Sequence, residues 1–151
     1  MNLNEHPEIV SWPETHYVFV ERIGLFMENA GAAWQQAHTL APALSENNRI
    51  TGYMALYKRG PNIYRAGFSV AAPPVNVPEG LRYERFPGGK YVRFVLTGPY
   101  SDLPQASGRA WSLVGEKKIE LRDDFAIENY VNDPRVTPPE QLVTHIMIPT
   151  V

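Results

Sequence analysis

Gly24-Leu25-Phe26 closes the run Tyr17-Val18-Phe19-Val20-Glu21-Arg22-Ile23, and 74 residues later (24 to 98) Gly98-Pro99-Tyr100 closes the run Lys90 to Thr97. Both runs are rich in β-branched and aromatic residues and stop at a glycine, which is how a strand reads. The segments beyond the two glycines agree as well. Between Asn29 and Leu44 the apolar residues Ala33, Trp34, Ala37, Leu40, Ala41 and Leu44 recur with the period of one helical face, with Pro42 expected to end or kink the helix. Between Asp102 and Val114 the residues Leu103, Ala110, Trp111 and Val114 do the same, and Ala33-Trp34 and Ala110-Trp111 lie 77 residues apart. In the first half, Thr51 to Tyr57 and Tyr64 to Ala72 read as strands joined by the turn Lys58-Arg59-Gly60-Pro61-Asn62, hence a hairpin. In the second half, Phe125 to Val131 and Leu142 to Ile148 read as strands. Between them Thr137-Pro138-Pro139-Glu140 reads as the start of a one-turn helix, with Thr137 as N-cap.

The chain is therefore expected to be α+β, built from tandem β-α-β-β repeats of about 75 residues each. The repeats fall at about 15–76 and 80–151 within a single domain, 1–151. Such a unit buries one face of its sheet, so the two copies are expected to pair side by side.

Composition narrows the function. The 151 residues carry 14 Lys+Arg against 16 Asp+Glu, a net charge of −2, which leaves no basic footprint for direct nucleic-acid binding. With no cysteine there is no disulfide scaffold, thiol nucleophile or Cys-ligated metal, and His6, His16, His38 and His145 have no metal-ligand spacing. No metal and no cofactor is expected. Gly88-Gly89-Lys90 lacks the rest of a phosphate loop, and Gly67-Phe68-Ser69-Val70-Ala71 lacks the last glycine of a nucleophile elbow. The start Met1-Asn2-Leu3-Asn4-Glu5-His6 has neither a basic nor an apolar leader region, so a cytoplasmic protein with no membrane partner is expected.

Three features point to a site. Glu128 lies in Phe125-Ala126-Ile127-Glu128-Asn129-Tyr130-Val131, where strand alternation puts Glu128 and Tyr130 on one face. If Phe125, Ile127, Asn129 and Val131 meet the helices, that pair faces away from them. A desolvated carboxylate there can pair with a cation or take a proton, and aromatic faces nearby add cation–π attraction. The second feature is the supply of rings: Tyr53, Tyr57, Tyr64, Phe68, Phe94, Tyr100 and Tyr130 suit a flat apolar ligand, with Tyr53, Tyr57, Phe68, Phe94 and Trp111 as candidate walls, or else helix-to-sheet core. The third is His145, which shares its strand face with Val143 and Met147.

One ordered series of segments is distinctive. It runs Tyr64-Arg65-Ala66-Gly67-Phe68-Ser69-Val70, Pro87-Gly88-Gly89-Lys90-Tyr91-Val92, Gly98-Pro99-Tyr100-Ser101-Asp102-Leu103 and Glu128-Asn129-Tyr130-Val131-Asn132-Asp133-Pro134. Thr137-Pro138-Pro139-Glu140-Gln141-Leu142 and Ile146-Met147-Ile148-Pro149 complete it. The series resembles the GyrI-like small-molecule-binding family, the effector-binding domains fused to AraC-type and MerR-type transcription regulators and also found alone. The resemblance implies a tandem β-α-β-β fold with pseudo-twofold symmetry, its antiparallel sheets enclosing a central groove for lipophilic, often cationic, aromatic compounds, with Glu128 as the acidic contact. His145 stands where the family often has an acidic residue, a departure that bears on the charge selectivity of the pocket. Fewer than about 20 residues precede the first expected strand, so a stand-alone binding protein is expected. The resemblance also implies two alternatives. One is a hydrolase of cyclopropane-containing toxins, with Glu128 and Tyr130 as catalytic groups. The other is a protein that modulates DNA gyrase, with gyrase or a regulator as partner.

Overall fold

The computed structural model describes residues 1–151. Its elements run β1 (Asn2–Trp12), β2 (Thr15–Ile23), α1 (Phe26–Ser45), β3 (Ile50–Lys58), β4 (Ile63–Val70), β5 (Arg82–Phe86) and β6 (Gly89–Thr97). After these come α2 (Leu103–Glu116), β7 (Ala126–Tyr130) and β8 (Val143–Pro149). The chain divides into two compact units: the β2 unit, residues 13–88, and the β6 unit, residues 1–12 with 89–151. Within the β2 unit the strands lie in the order β3-β4-β2-β5, and within the β6 unit β1-β6-β8-β7, each neighbour antiparallel. Segregated helices on antiparallel sheet make the fold α+β.

The two glycines that end β2 and β6 play the same part. Gly24 sits at φ +133° and Gly98 at φ +148°, backbone that side-chain-bearing residues rarely adopt. The turn aims each N–H across the sheet end, Gly24 donating to the Asn62 carbonyl at 3.0 Å and Gly98 to the Leu142 carbonyl at 2.8 Å. Each chain then enters its helix. In α1 the buried positions are Ala33, Ala37 and Leu44, and α1 lies over β2 and β4. In α2 they are Ala106, Ala110, Leu113 and Val114, which pack on Val92, Phe94 and Leu96 of β6 and Ile146 and Ile148 of β8.

Several elements differ from the expected pattern. β1 and β5 are strands that the sequence does not announce: their apolar residues do not alternate cleanly, and both pair as edge strands, β1 on β6 and β5 on β2. Pro42 does not end α1, which runs on to Ser45. It sits in the last turn, where its carbonyl still accepts, from Ser45 Oγ at 3.0 Å. Thr137 is not an N-cap. The turn there is a short 3-10 segment, Pro139–Gln141, preceded by Pro138 and without a side-chain cap.

In the whole chain both sheet faces carry buried side chains. In the β2 unit the face turned from α1 holds Tyr17, Phe19, Met54 and Leu56, all at most 1% exposed. Tyr17 stacks on Phe19 with centroids 5.1 Å apart, and its hydroxyl donates to the carbonyls of Met54 at 2.8 Å and Arg65 at 3.2 Å. Burial pushes that phenol well above its ordinary pKa. Over the Phe19 ring lie the guanidinium groups of Arg65 at 4.5 Å and Arg82 at 5.4 Å. Glu21 accepts from both arginines at 2.8 Å, and Glu84 accepts from Arg65 at 2.6 Å. Burial raises the Glu21 carboxyl, but its bonds to the two arginines outweigh that and hold it low.

Gly67 makes this arrangement possible. A Cβ there would lie 2.3 Å from the Val18 carbonyl oxygen and 2.7 Å from Phe19 Cβ, and neither can move without parting β4 from β2. Gly67→Ala is therefore expected to cost at least about 2–3 kcal/mol, the upper part of the range for overpacking, read as a lower urea midpoint at unchanged slope. Gly108→Ala is the control: a Cβ at that helical glycine meets nothing within 4 Å.

Candidate functional site

The pairing register decides what surrounds Glu128. β7 meets β8 with Glu128 opposite Ile146 and Tyr130 opposite Thr144, and β8 meets β6 with Ile146 opposite Phe94 and Thr144 opposite Leu96. Directly opposed residues project to the same face. Phe94, Ile146 and Glu128 thus form one cross-strand row, and Leu96, Thr144 and Tyr130 the next. Ile146, Phe94 and Leu96 all belong to the core under α2. Glu128 therefore lies on the helix-bearing face of its sheet, not on the face away from the helices.

On that face the Tyr130 hydroxyl donates to Glu128 Oε1 at 2.8 Å. The Tyr130 ring meets Tyr100 edge-on, centroids 5.4 Å apart at 65°. Tyr100 opens the short 3-10 turn Tyr100–Asp102 beyond Gly98, so the glycine turn brings this ring to β7. Glu128 is half-buried, and desolvation at its carboxyl group outweighs the phenol's hydrogen bond and raises its pKa above the usual carboxylate value. No ion pair reaches it. Burial, and then the nearby negative Asp133, also raise the Tyr100 phenol, so it stays neutral near pH 7. Chemically, the site is a partly desolvated carboxyl group steadied by one neutral donor, Tyr130, whose ring in turn meets that of Tyr100. It can serve as counter-charge to a desolvated cation or exchange a proton.

The other candidate residues lie apart from this group or beneath it. Phe94 is fully buried in the α2 core, where it is floor to Glu128 and not an open wall. Trp111 is half-buried against the same core. His145 pairs with Val95 and Asn129, so it projects to the opposite face from Glu128, where burial and the charge of Arg93 lower its pKa and keep it neutral. It does not stand beside the acidic group. Tyr53, Tyr57 and Phe68 belong to the β2 unit, in an aromatic group under α1. There Tyr53 and Phe68 meet at 5.2 Å, His38 meets both, Tyr57 meets Phe26 at 5.6 Å, and Trp34 Nε1 donates to the Tyr64 hydroxyl at 2.8 Å. Sequence reasoning counted Tyr100 among the rings suited to a flat apolar ligand without bringing it to Tyr130, and it missed Thr144. Thr144, whose buried Oγ1 has no hydrogen-bond partner, was hidden in an ordinary strand.

The GyrI-like small molecule binding domain matches residues 5–151, and the chain belongs to that family. Its fold is similar to the EcmrR C-terminal domain, with TM-score 0.79 and 14% identity over 100% of this chain and 99% of that one. It is similar to SAV2435, solved bound to tetraphenylphosphonium, with TM-score 0.75 and 12% identity over 97% and 94% of the two chains. A hydrolase from Listeria innocua matches with TM-score 0.63 and 14% identity over 98% and 93%. At such identities the likeness is one of fold. A search of curated proteins finds no match.

The raised carboxyl makes a stability prediction. Folding keeps the charged form of Glu128 in a poorly solvated place, so its unfavourable contribution is absent below the ordinary carboxylate range, near pH 4.5, and grows as pH rises through the raised folded value. Glu128→Gln keeps an acceptor for Tyr130 and removes the charge. It is expected to raise Tm at pH 8 and leave it unchanged at pH 4, measured by calorimetry across that range.

Proposed function

We propose that this chain binds lipophilic aromatic cations, with Glu128 as the counter-charge and the rings of Tyr130 and Tyr100 as its walls. The observation that carries the reading is the Glu128 carboxyl itself: desolvated, held by one phenol and given no basic partner of its own. A carboxylate so placed is unfavourable alone and becomes favourable when a cation arrives. A large aromatic cation brings little hydration to lose, and its rings suit tyrosine edges and faces. Membership of a small-molecule-binding family supports this reading, as does a fold shared with a protein solved with tetraphenylphosphonium.

Tetraphenylphosphonium is the first probe. It is expected to raise Tm and to bind with an affinity that Glu128→Gln lowers at least about tenfold, or ~1.4 kcal/mol. Neutral triphenylphosphine oxide should bind far more weakly. An affinity for the cation unaffected by Glu128→Gln sinks the proposal.

The same carboxyl gives the binding a pH dependence. A cation favours the ionised form, so binding releases a proton wherever Glu128 is still protonated in the free protein. Affinity is expected to fall as the pH is lowered through the raised Glu128 range towards 4.5, and to be flat over the same range in Glu128→Gln. Isothermal titration in two buffers of different ionisation enthalpy reads the proton directly.

A carboxyl of raised pKa bonded to a phenol is also suited to proton transfer, which supports hydrolysis as a second reading. Turnover of a cyclopropane-containing substrate that is lost in both Glu128→Gln and Tyr130→Phe would establish it over simple binding.

A further inference from the structure

The β2 unit carries a cleft of about 440 Å³ lined by Arg22, Gln35, Gln36, Thr39, Glu79 and Gly80. It lies between α1, the end of β2 and the segment ahead of β5. Its charges are poorly matched within the protein. Arg22 comes from β2 opposite Tyr64, so it projects to the α1 side of its sheet. Its guanidinium finds one acceptor, Gln36 Oε1, at 3.5 Å, the outer limit of a hydrogen bond. Its Nε is sealed from water without any partner. The acid next to it in sequence, Glu21, points to the other face and is already shared by Arg65 and Arg82. Glu79 lines the same cleft but forms no ion pair with Arg22.

A half-buried guanidinium with five donors and one distant acceptor is short of partners. Glu79, in the same lining, brings a carboxylate that would repel a simple anion. A ligand that answers both must carry both charges. The rest of the lining joins the apolar Ala32 and Leu40 to the Gln35 and Gln36 amides and the Thr39 hydroxyl, which donates to the Gln35 carbonyl and so turns lone pairs outward. Gly80, at φ +98°, lets the chain come close to the helix, since a Cβ there would stand 3.1 Å from Leu40 Cδ1.

We propose that this cleft binds a small amino-carboxylate. The Arg22 guanidinium takes its carboxylate, Glu79 takes its ammonium group, and Gln35, Gln36 and Thr39 contact the remainder. The site is separate from Glu128, which belongs to the other unit, and it favours a zwitterion where Glu128 favours a cation.

The test is nuclear magnetic resonance titration of the ¹⁵N-labelled full chain with each of the free amino acids, and separately with acetate and with ethylammonium. At least one amino acid is expected to shift the backbone amides of Gln35, Gln36, Thr39 and Gly80 saturably, with a Kd of about 1 mM or tighter. Arg22→Gln and Glu79→Gln are each expected to weaken it at least about tenfold. Glu79 is exposed, so its variant keeps the fold and reads the site even if Arg22→Gln does not. The proposal is overturned if no amino acid saturates, if Glu79→Gln leaves the affinity unchanged, or if acetate or ethylammonium binds as tightly as the best amino acid.

Discussion

Each helix meets its sheet through alanine. Ala33 and Ala37 of α1, and Ala106 and Ala110 of α2, have no exposed surface. Side chains this small at successive turns let a helix axis settle close over the strands, and larger residues then have to lie along its flanks. That is where Trp34 goes in one unit, reaching the Tyr64 hydroxyl with its ring near Phe68. Trp111 takes the corresponding half-buried place beside Ala110. The aromatic wealth of the helix-bearing faces comes from this contact, because rings fill the space that the alanines leave beside the helix.

The electrostatics depend on register. A one-residue slip of β7 on β8 would carry Glu128 to the face of Arg93 and His145, and put Asn129 beside Ile146. The carboxyl would then meet a guanidinium and lose its unpaired character. Ile127, fully buried opposite Met147, holds the register against that slip, since moving it would expose an apolar side chain and bury a polar one. The unusual acid is thus maintained by ordinary apolar neighbours on the other side of the strand.

Much of the fold was legible because its cues are local. Gly24 and Gly98 marked both strand ends, and the alanine-tryptophan spacing marked both helices. Alternation also paired Glu128 with Tyr130 correctly, but it could not say which face met the helix. That depends on where Ile146 and Phe94 lie, which is a matter of pairing between distant strands. The place of His145, away from the acid, was hidden for the same reason. β1 and β5 were missed because an edge strand draws its order from its partner's hydrogen bonds, not from its own pattern, and β1 carries Pro7 within a break in its register. The Arg22 cleft left no sequence signal, since its character comes from what fails to reach the arginine.

β1 precedes β2 in the chain yet belongs to the sheet of β6, whose first residue is Gly89. On a ribosome, 76 residues (13 to 88) must be made after β1 before its partner appears, about 4 to 15 seconds at typical rates of synthesis. Residues 13–88 form a continuous stretch that can assemble meanwhile. The nascent protein therefore carries an unpaired strand of eleven residues ahead of the β2 unit during that interval. Pro7, which lacks an N–H, and the charged Glu5 and Glu8 make that strand a poor template for a neighbouring chain. A feature that looks like an irregularity in the finished sheet thus protects the polypeptide while it is still being made.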